Sequence, residues 1–390
     1  MNKRLKIAHV ITRMDWGGSP DIVRILLEKL PKDSFDIYLI TGLTLHPSKK
    51  TNEFLRNFKE KVYIISSLIR DIDFIKDVRA FFCLYQFFRK GNFDIVHTHT
   101  AKAGALGRLA AYFAGVPVII HTAHGNNFYG YFGRIASGLI VWAERVLGLI
   151  TKKEVALTEL EKKDLITFKI VPENKVELIY QGLELEKLKF DLKERSSVRK
   201  DLGISDFDCA IGLIGRLEPV KGGKYFIEAA KLVIPKVNPV KFIVVGEGSQ
   251  RSELMNLVKT YGIESRFIFT GWRDDVDRII SGLDILVLPS LNEAVGIVLL
   301  EAQAIGVPVI ASRVGGVPEI VNAPEAGVLI PSADVKALAE AIEFLSKDEG
   351  ARKRISEAAK IWIKNKFKAE DMARAHVNLY NELVKNKINV

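Results

Sequence analysis

Cysteine is almost absent from this chain of 390 residues: only Cys83 and Cys209 are present, far apart in the sequence. This scarcity excludes a disulfide-stapled scaffold and is typical of a reducing compartment. Long apolar runs are lacking as well, because the best candidate, 138–150, is short and contains Glu144 and Arg145. A secretory leader is not expected, since the basic start of the chain runs directly into a strand-like segment. These absences predict a cytoplasmic protein.

Acidic residues do not balance the basic ones, and the formal net charge is +10. The excess lies in residues 1–190, which hold 29 Lys and Arg against 20 Asp and Glu, whereas residues 191–390 hold 28 against 27. A basic half favours an anionic partner, and no zinc-finger spacing or RNA-binding signature accompanies it. We therefore expect a membrane surface or a phosphorylated acceptor rather than nucleic acid, with a merely soluble basic surface as the alternative.

Short apolar runs alternate with longer amphipathic stretches throughout both halves. Most runs are rich in Val and Ile at consecutive positions, as expected of parallel strands buried on both faces. Repeated alternation of strand and helix predicts an α/β protein with two doubly wound, Rossmann-like domains, joined near 182–195. The predicted strands are 5–11, 35–41, 62–65, 94–97, 116–121 and 154–158 in the first half, and 209–214, 241–245, 266–270, 285–289, 307–311 and 327–330 in the second.

The loop after the first predicted strand contains Gly17 and Gly18. In open parallel sheets, ligands bind beyond the carboxyl ends of the strands, so this loop is a candidate site. The two glycines permit a tight turn and close approach of a ligand. Ser19 can cap the following helix, and Pro20 suits its first turn. An anion is the ligand that this helix end attracts. The pattern is not G-x-G-x-x-G, and a plain glycine turn is the alternative.

Four of the seven histidines follow two predicted strands of the first half. Metal binding is one interpretation of the His-x-His and His-x-x-His spacings, but no cysteine or clearly placed carboxylate completes the ligand set. For His97 and His121, which lie nearer the strand bodies, we expect hydrogen bonds to loop backbones. For His124 we expect a role in the ligand cleft, and His99 and Lys102 are assigned to the acceptor side or the cleft.

Two cations, Arg216 and Lys221, lie in the loop after the first strand of the second half, next to Gly215. An arginine can hold phosphate oxygens bidentately. A surface salt bridge would explain either cation alone, but both in one glycine-flanked loop favour binding of a diphosphate. Gly246 and Glu247 lie in the corresponding loop, directly after the next predicted strand.

A pair of carboxylates brackets a predicted helix N-terminus further along the second half. Glu293 follows a strand, and Gly296 precedes an apolar helix that contains Glu301. The helix end is suited to a diphosphate, and the flanking carboxylates can accept hydrogen bonds from sugar hydroxyls. Glu301 lies among apolar residues and therefore needs a partner.

Together, these loops resemble those of retaining glycosyltransferases of the GT-B fold, specifically glycosyltransferase family 4. The resemblance covers nearly the whole chain and includes Gly17-Gly18 and the segments 215–222, 246–248, 293–301 and 306–319. The stretch 97–107 resembles members that build bacterial surface polysaccharides. Two positions depart from the usual pattern: Ala294-Val295 replaces Gly-Phe, and Pro20 stands where an acidic residue is common.

The resemblance implies two Rossmann-like domains that face each other across a cleft. Residues 1–187 would bind the acceptor, and residues 188–370 would bind the nucleotide sugar. A final helix at about 371–390 would cross back to the first domain.

Site roles are also implied by the resemblance. Arg216 and Lys221 would neutralise the departing diphosphate, and Glu293 would contact the transferred sugar. The Gly296 backbone would bind the phosphates, and Glu301 the ribose hydroxyls. The implied catalytic residues are His124, Arg216, Lys221 and Glu293, and the implied donor site comprises Gly17, Gly18, Gly215, Arg216, Lys221, Gly246, Glu247, Glu293, Gly296, Ile297, Val298 and Glu301.

The predicted activity is transfer of a sugar, with retention, from a nucleotide diphosphate donor (a UDP-sugar is favoured) to a glycan or lipid-linked acceptor. No cofactor or metal is expected, because fixed cations and a helix end can stabilise the leaving group. Asp-x-Asp occurs at 71–73, 206–208 and 275–277, and three matches show how weak that metal signal is. The alternatives are a non-hydrolysing nucleotide-sugar epimerase, a phosphorylase and a solute-binding protein without enzymatic activity.

The segment 79–90 is aromatic with basic ends. It is either a core helix or a helix that lies on a membrane surface. Combined with the basic first half, the second interpretation predicts peripheral contact with the inner face of an anionic membrane, and a polyprenyl- or otherwise lipid-linked acceptor.

Overall fold

The structure is a computed structural model of the chain and describes residues 4–125, 128, 133–322 and 324–388. The chain forms two compact units, Met1–Gly182 together with Ala369–Val390, and Leu183–Lys368. The boundary predicted at 187/188 and the returning helix predicted from about 371 lie a few residues from these limits. Residues 389–390 of that predicted helix lie outside the described part of the chain.

In the described part of the first domain, seven parallel strands form one sheet in the order β3-β2-β1-β4-β5-β6-β7. The order reverses between β1 and β4, which places the carboxyl ends of these two strands at the ligand-binding position of a doubly wound sheet. The strands are β1 (Leu5–Ile11), β2 (Phe35–Thr41), β3 (Val62–Ile64), β4 (Ile95–His99), β5 (Val118–Thr122), β6 (Lys153–Ala156) and β7 (Val176–Leu178).

Helices connect these strands and cover the sheet. Every residue of β4 and β5 is buried, because helices shield both faces of a parallel sheet. α3, α4 and α5 pack side by side. The helices up to the second domain are α1 (Gly18–Lys29), α2 (Lys49–Asn57), α3 (Phe74–Gly91), α4 (Ala101–Phe113), α5 (Arg134–Ile150) and α6 (Glu159–Thr167).

A fully buried arginine joins three elements of the first domain. The Arg108 guanidinium on α4 lies 3.0 Å from a carboxylate oxygen of Glu154 on β6 and 2.6 Å from one of Glu144 on α5. Burial raises the pKa of Glu154 to about 8, and the positive charge of Arg108 opposes that rise. Removing one partner of such a cluster leaves a buried charge unpaired, so the cluster fixes the orientation of α5 against the sheet.

The described part of the second domain contains six parallel strands in the order β10-β9-β8-β11-β12-β13. Its strands are β8 (Cys209–Ile214), β9 (Val240–Val245), β10 (Phe267–Gly271), β11 (Ile285–Leu288), β12 (Val309–Ser312) and β13 (Val328–Ile330). Its helices are α7 (Leu192–Asp201), α8 (Gly223–Val233), α9 (Arg251–Thr260), α10 (Val276–Gly282), α11 (Ile297–Ile305), α12 (Val317–Val321), α13 (Val335–Lys347) and α14 (Glu349–Lys366).

The last helix, α15 (Ala369–Ile388), belongs to the first domain, as predicted. It packs against α1, and the Lys29 ammonium lies 2.6 Å from the Glu370 carboxylate. The Tyr380 hydroxyl reaches His97 on β4 at 2.8 Å.

The prediction of two doubly wound α/β domains is confirmed, and every predicted strand overlaps an observed one. β7 was missed because it has only three residues and is half-buried at the sheet edge. On α3, Ala80, Leu84 and Phe88 are buried, so one face of the aromatic segment 79–90 is core. Across the described residues, no helix is long and apolar enough to cross a membrane.

Candidate functional site

The loops that follow β8 and β9 approach each other closely at their glycines. Gly215 has φ +154° and Gly246 has φ +130°, and a Cβ at position 246 would overlap the carbonyl oxygen of Gly215. The Leu217 amide donates to the Glu247 carbonyl at 2.8 Å. Close approach of the two backbones therefore requires glycine at 246. The close approach of the two loops places Arg216, which is half-buried, at the carboxyl edge of the second sheet.

Lys221 and Glu293, predicted from separate motifs, form an ion pair. Lys221 ends a 3₁₀ turn, and its Nζ lies 2.5 Å from Oε2 of Glu293. The Ser290 hydroxyl donates to the same oxygen at 3.2 Å. Both charged side chains are half-buried, so the contact holds the ammonium at the end of β11.

Two further glycines, at 222 and 315, allow close backbone contacts around this ion pair. Gly222 has φ +71°, and a Cβ there would overlap the Pro289 carbonyl oxygen. Gly315 has φ +51°, and its Cβ would overlap the carbonyl oxygen of Glu293. The Gly316 amide also donates to that oxygen at 3.2 Å. The position of Glu293 therefore depends on the absence of a side chain at 315.

We expect Gly315→Ala to lower the free energy of unfolding by about 1–3 kcal/mol, because it combines an unfavourable φ with overpacking against a backbone carbonyl. It should also lower turnover, since Glu293 must move. Gly203→Ala is the matched control: Gly203 has φ +68°, but a Cβ added there would meet no atom within 4 Å, so only the backbone strain applies. Urea unfolding of both variants checks the difference, and an equal loss in the two would contradict the assigned contact.

α11 begins directly after this loop. Its cap residue, Gly296, is left-handed at φ +76°, and no side chain caps the helix. The first amides of the helix lack intrahelical partners and carry partial positive charge, which suits an anion. Ile297 and Val298 of the first turn and Glu301 further along are half-buried. The structure thus brings Lys221, Glu293 and the start of α11 together at one sheet edge.

Glu247 is placed differently from the other predicted donor residues. Its carboxylate lies 3.2 Å from Nε of Arg251 on α9, while its carbonyl accepts from Leu217. The backbone of Glu247 therefore shapes the loop, and a direct role of its side chain in donor binding stays a prediction.

In the first domain, Gly17 rather than Ser19 caps α1. The helix begins at Gly18, and Gly17 (φ +150°) has no side-chain cap bond. The cap predicted for Ser19 is wrong, because the helix is capped two residues earlier, at Gly17. Pro20 falls in the first turn, as predicted. Oδ1 of Asp15 accepts backbone amides of two residues, Leu45 and His46, at 2.8 Å each, which anchors the loop.

A chain of imidazole rings lies at the carboxyl edge of the first sheet. His9 Nδ1 is 3.0 Å from His99 Nε2, and His99 Nδ1 is 3.0 Å from His124 Nε2. His124 Nδ1 is in turn 3.1 Å from the Gln181 side-chain amide. His124 has φ +57°, an uncommon value for a non-glycine residue, so its neighbours hold it in a strained turn. The predicted residues His99 and His124 are therefore directly coupled.

The other two predicted histidines are structural, but not through loop backbones. His97 bonds the hydroxyls of Tyr380 and Thr122 at 2.8 Å each. His121 bonds the side-chain hydroxyl and the carbonyl of Thr98, at 2.8 and 3.1 Å. The prediction of loop partners is wrong because both rings lie inside the sheet, where the neighbouring strand and α15 are within reach.

Burial keeps the imidazoles of this region neutral at physiological pH. It lowers the pKa of His9 and of His124 to about 3, and that of His376 on α15 to about 4. Burial also lowers the pKa of His97 and His99 well below the usual value. A neutral ring has one donor and one acceptor nitrogen, so the direction of one bond in the chain sets the direction of the others.

One histidine group could hold a metal on distance alone. Ring nitrogens of His9, His97 and His99 lie within 4.8 Å of one another. However, His9 and His99 bond each other, and both nitrogens of His97 already have hydroxyl partners. A metal would have to replace these bonds, so the arrangement fits a hydrogen-bonded cluster better.

Lys102 is engaged within the first domain. Its ammonium lies 2.5 Å from the Asp77 carboxylate and also bonds the Asp71 carbonyl, which ties the start of α4 to the start of α3. Its assigned role towards an acceptor stays a prediction.

Several residues of the first site were missed from the sequence. His9 directly faces His97 in the register between β1 and β4. His376 and Tyr380 come from α15, and Gln181 lies near the end of the first segment of the domain. A signal existed only for His9, which occupies an inward position of a predicted buried strand.

Comparison with known proteins agrees with this architecture. A family model described as Glycosyltransferase Family 4 matches residues 16–187, and one described as Glycosyl transferases group 1 matches residues 194–362. The chain is 32% identical over 394 residues, 99% of each chain, to a UDP-Gal:alpha-D-GlcNAc-diphosphoundecaprenol alpha-1,3-galactosyltransferase from Escherichia coli. It is 26% identical, over 98% of each chain, to the capsular polysaccharide biosynthesis glycosyltransferase CapM from Staphylococcus aureus.

Among solved structures, Anabaena Alr3699/HepE in complex with UDP and glucose superposes with a TM-score of 0.81 at 19% identity, covering 97% of this chain and 100% of that one. That likeness shows a shared fold, while the relative from Escherichia coli shows the family. The chain belongs to the GT-B glycosyltransferases, with a Glycosyltransferase Family 4 domain followed by a Glycosyl transferases group 1 domain.

Proposed function

We propose that this glycosyltransferase moves a sugar from a UDP-sugar to a glycan or lipid-linked acceptor in polysaccharide or glycolipid biosynthesis, with retention of the anomeric configuration. The observation that carries the proposal is the Lys221–Glu293 pair beside the uncapped start of α11. It combines a fixed cation, a helix end suited to phosphate and a carboxylate suited to sugar hydroxyls.

Departure of the diphosphate is the step that this arrangement would stabilise. The bond from the anomeric carbon to the diphosphate oxygen breaks, and negative charge grows on that oxygen. The acceptor hydroxyl oxygen forms the new bond to the anomeric carbon and passes its proton to the departing diphosphate. Arg216, Lys221 and the amides after Gly296 would meet the growing charge without rearrangement, as preorganised donors do.

The names of the relatives support a choice of donor and acceptor. The name of the relative from Escherichia coli specifies a UDP-galactose donor and a diphosphoundecaprenol-linked acceptor, and the Anabaena structure holds UDP. We therefore favour a UDP-sugar and a polyprenyl-diphosphate-linked glycan. His124, with its fixed ring, is assigned to the reacting sugar, and Gly17 and Gly18 to the phosphate side of the donor.

Metal-independent transfer is part of the proposal. Fixed cations replace the role that a divalent ion plays in metal-dependent transferases. Transfer should continue in excess EDTA, and loss of transfer that Mg²⁺ or Mn²⁺ restores would overturn this part.

The location that we propose is the cytoplasmic side of a membrane. Cys83 and Cys209 are both free, which suits a reducing compartment. A lipid-linked acceptor would require the enzyme to work at the inner membrane face.

The direct test is incubation of the full chain with a panel of nucleotide sugars and a polyprenyl-diphosphate glycan. We expect acceptor-dependent product with retained configuration at the new linkage. Conversion of the donor without any acceptor would instead indicate an epimerase and would overturn the proposal.

Glu301→Ala should weaken UDP binding about 10- to 100-fold, the loss typical of hydrogen bonds to a charged group. Isothermal calorimetry with UDP measures it. Glu340→Ala on α13 removes an exposed carboxylate and serves as the control, with unchanged affinity expected. Equal UDP affinity in the Glu301 variant and the wild type would remove the ribose assignment.

A further inference from the structure

One face of α5 is apolar and exposed along its whole length. The exposed fractions are 84% for Ile135, 64% for Leu139, 64% for Trp142, 43% for Val146 and 78% for Leu149. These residues recur at intervals of three and four, so they form a single stripe along the helix. A lone exposed apolar residue is ordinary, but a contiguous stripe of this length marks an interaction surface.

The opposite face of α5 is committed to the interior of the first domain. Val141 and Leu147 are buried, and the Glu144 carboxylate is held by the buried Arg108 guanidinium. The helix cannot rotate its stripe inward without breaking that pair. Exposure of the stripe is therefore a property of the folded domain.

Apolar exposure continues onto the helices beside α5. Tyr112 and Phe113 are exposed in the last turn of α4, which packs beside α5. Phe113 makes an edge-to-face contact with Phe81 of α3, and Phe82 of α3 is exposed. The three-helix layer therefore presents aromatic as well as aliphatic side chains.

The charges around the stripe are positive. Arg134 at the start of α5, Arg145 on its flank and Lys152 just beyond its end are exposed. The Lys175 ammonium lies 2.9 Å from the Thr151 carbonyl at the helix end. The helix itself contributes a single carboxylate, which the buried arginine already neutralises.

We propose that the stripe of α5 (Ile135, Leu139, Trp142, Val146 and Leu149) docks on an anionic phospholipid bilayer. An apolar stripe with tryptophan and leucine, flanked by arginine, is the pattern of a helix that lies in the membrane interface. α5 has 17 residues and is about 25 Å long, so it covers headgroups in the plane of the surface. The segment 79–90 was the sequence-based candidate for membrane contact. Its Phe82 is exposed as well, and contact of that segment with a membrane stays a prediction beside the one made here for α5.

A second copy of this chain is the rival occupant of the stripe. A symmetric contact would bring α5 against α5, and Arg134 and Arg145 would find no free carboxylate on the partner helix. A layer of anionic headgroups supplies negative charge along the flank of the stripe that carries Arg134 and Arg145. Charge complementarity therefore favours the bilayer.

This inference deepens the proposed function, since it names the surface on which a lipid-linked acceptor would be met. Vesicle binding is measured without donor or acceptor. Failure to bind vesicles and failure to transfer sugar are therefore separate results.

The test is flotation of the full chain with vesicles of equal parts phosphatidylglycerol and phosphatidylcholine at low salt. We expect binding that is weaker on phosphatidylcholine alone and at high ionic strength. The double variant L139Q/W142Q should lower the partition coefficient at least about tenfold. R134Q/R145Q should lower it about fivefold for each cation removed, on the anionic vesicles only.

Phe207→Gln is the matched control, because Phe207 is an exposed aromatic residue in the second domain and its loss should leave flotation unchanged. Thermal unfolding and UDP affinity establish that each variant is folded. The proposal is overturned if the wild type does not float, if L139Q/W142Q floats as well as the wild type, or if sedimentation shows a dimer that L139Q/W142Q dissociates in the absence of lipid.

Discussion

Lys221→Ala is expected to lower kcat by about 10²–10³-fold, the range seen when a preorganised donor to a developing anion is lost. The Lys221 ammonium is held 2.5 Å from the Glu293 carboxylate at the end of β11. Its charge would be used most in the transition state, when the diphosphate gains negative charge. KM for the donor should therefore change much less than kcat. Steady-state kinetics at saturating acceptor separates the two.

The fold of the Lys221 variant must be checked separately, because the substitution leaves the half-buried Glu293 carboxylate with the Ser290 hydroxyl and without its cation. Lys221→Ala with Glu293→Gln removes the pair together and controls for an unpaired carboxylate. Lys224→Ala is the matched control, since Lys224 is three residues away, exposed and outside the loop. Arg216→Ala should behave like Lys221→Ala. Wild-type kcat in either loop variant would remove the diphosphate assignment.

The meeting of Lys221, Glu293 and the start of α11 at one sheet edge could be predicted from sequence, because each part lies within one short segment. Arg216 and Lys221 share a loop, and Glu293 precedes the helix that carries Glu301 by a few residues. The strand order then brings the end of β8 next to the end of β11. The ion pair between Lys221 and Glu293 follows from these two facts, although neither motif contains it alone.

The first-domain site could not be predicted in the same way, because its contacts join distant residues. His9 and His99 meet only through the register of β1 and β4, and His97 meets Tyr380 only because α15 returns. The sequence likewise does not show that the Lys102 ammonium is paired with the Asp77 carboxylate of α3. Sequence identifies the residue types at a sheet edge, but side-chain partners from other elements decide what each one does.

The stripe of α5 shows a different limit of sequence-based prediction, namely which side of an apolar helix is exposed. Leu139 and Trp142 are residues that hydrophobicity assigns to the interior. What sets their exposure is the inward Glu144–Arg108 contact, and that contact needs the relative positions of α4 and α5. The pattern of apolar residues alone could not distinguish the exposed side of this helix from the buried one.

A second large effect is expected from acid. Six of the seven histidines lie together inside the first domain, and burial lowers the pKa of each below the usual value, to about 3 for His9 and His124 and about 4 for His376. The pKa values of His97, His99 and His121 are lowered in the same direction. Between those values and about 6.5, the unfolded chain binds protons that the folded chain does not.

Stability due to these neutral histidines is fully present above pH 6.5 and falls as the pH drops below it. Each histidine contributes a slope of about 1.4 kcal/mol per pH unit once its unfolded form is protonated. Glu154, whose pKa is raised to about 8, acts in the opposite direction, but it is one group against six.

We therefore expect the free energy of unfolding to fall by about 5 kcal/mol or more between pH 7 and pH 5, a loss comparable with the whole stability of many domains. Urea unfolding at several pH values and constant ionic strength measures it. His97→Gln should reduce the slope by about one proton. A free energy of unfolding that stays level from pH 7 to pH 5 would mean that these imidazoles are already charged or solvated in the folded protein. The chain of imidazole rings from His9 to His124 would then not be a neutral hydrogen-bonded network.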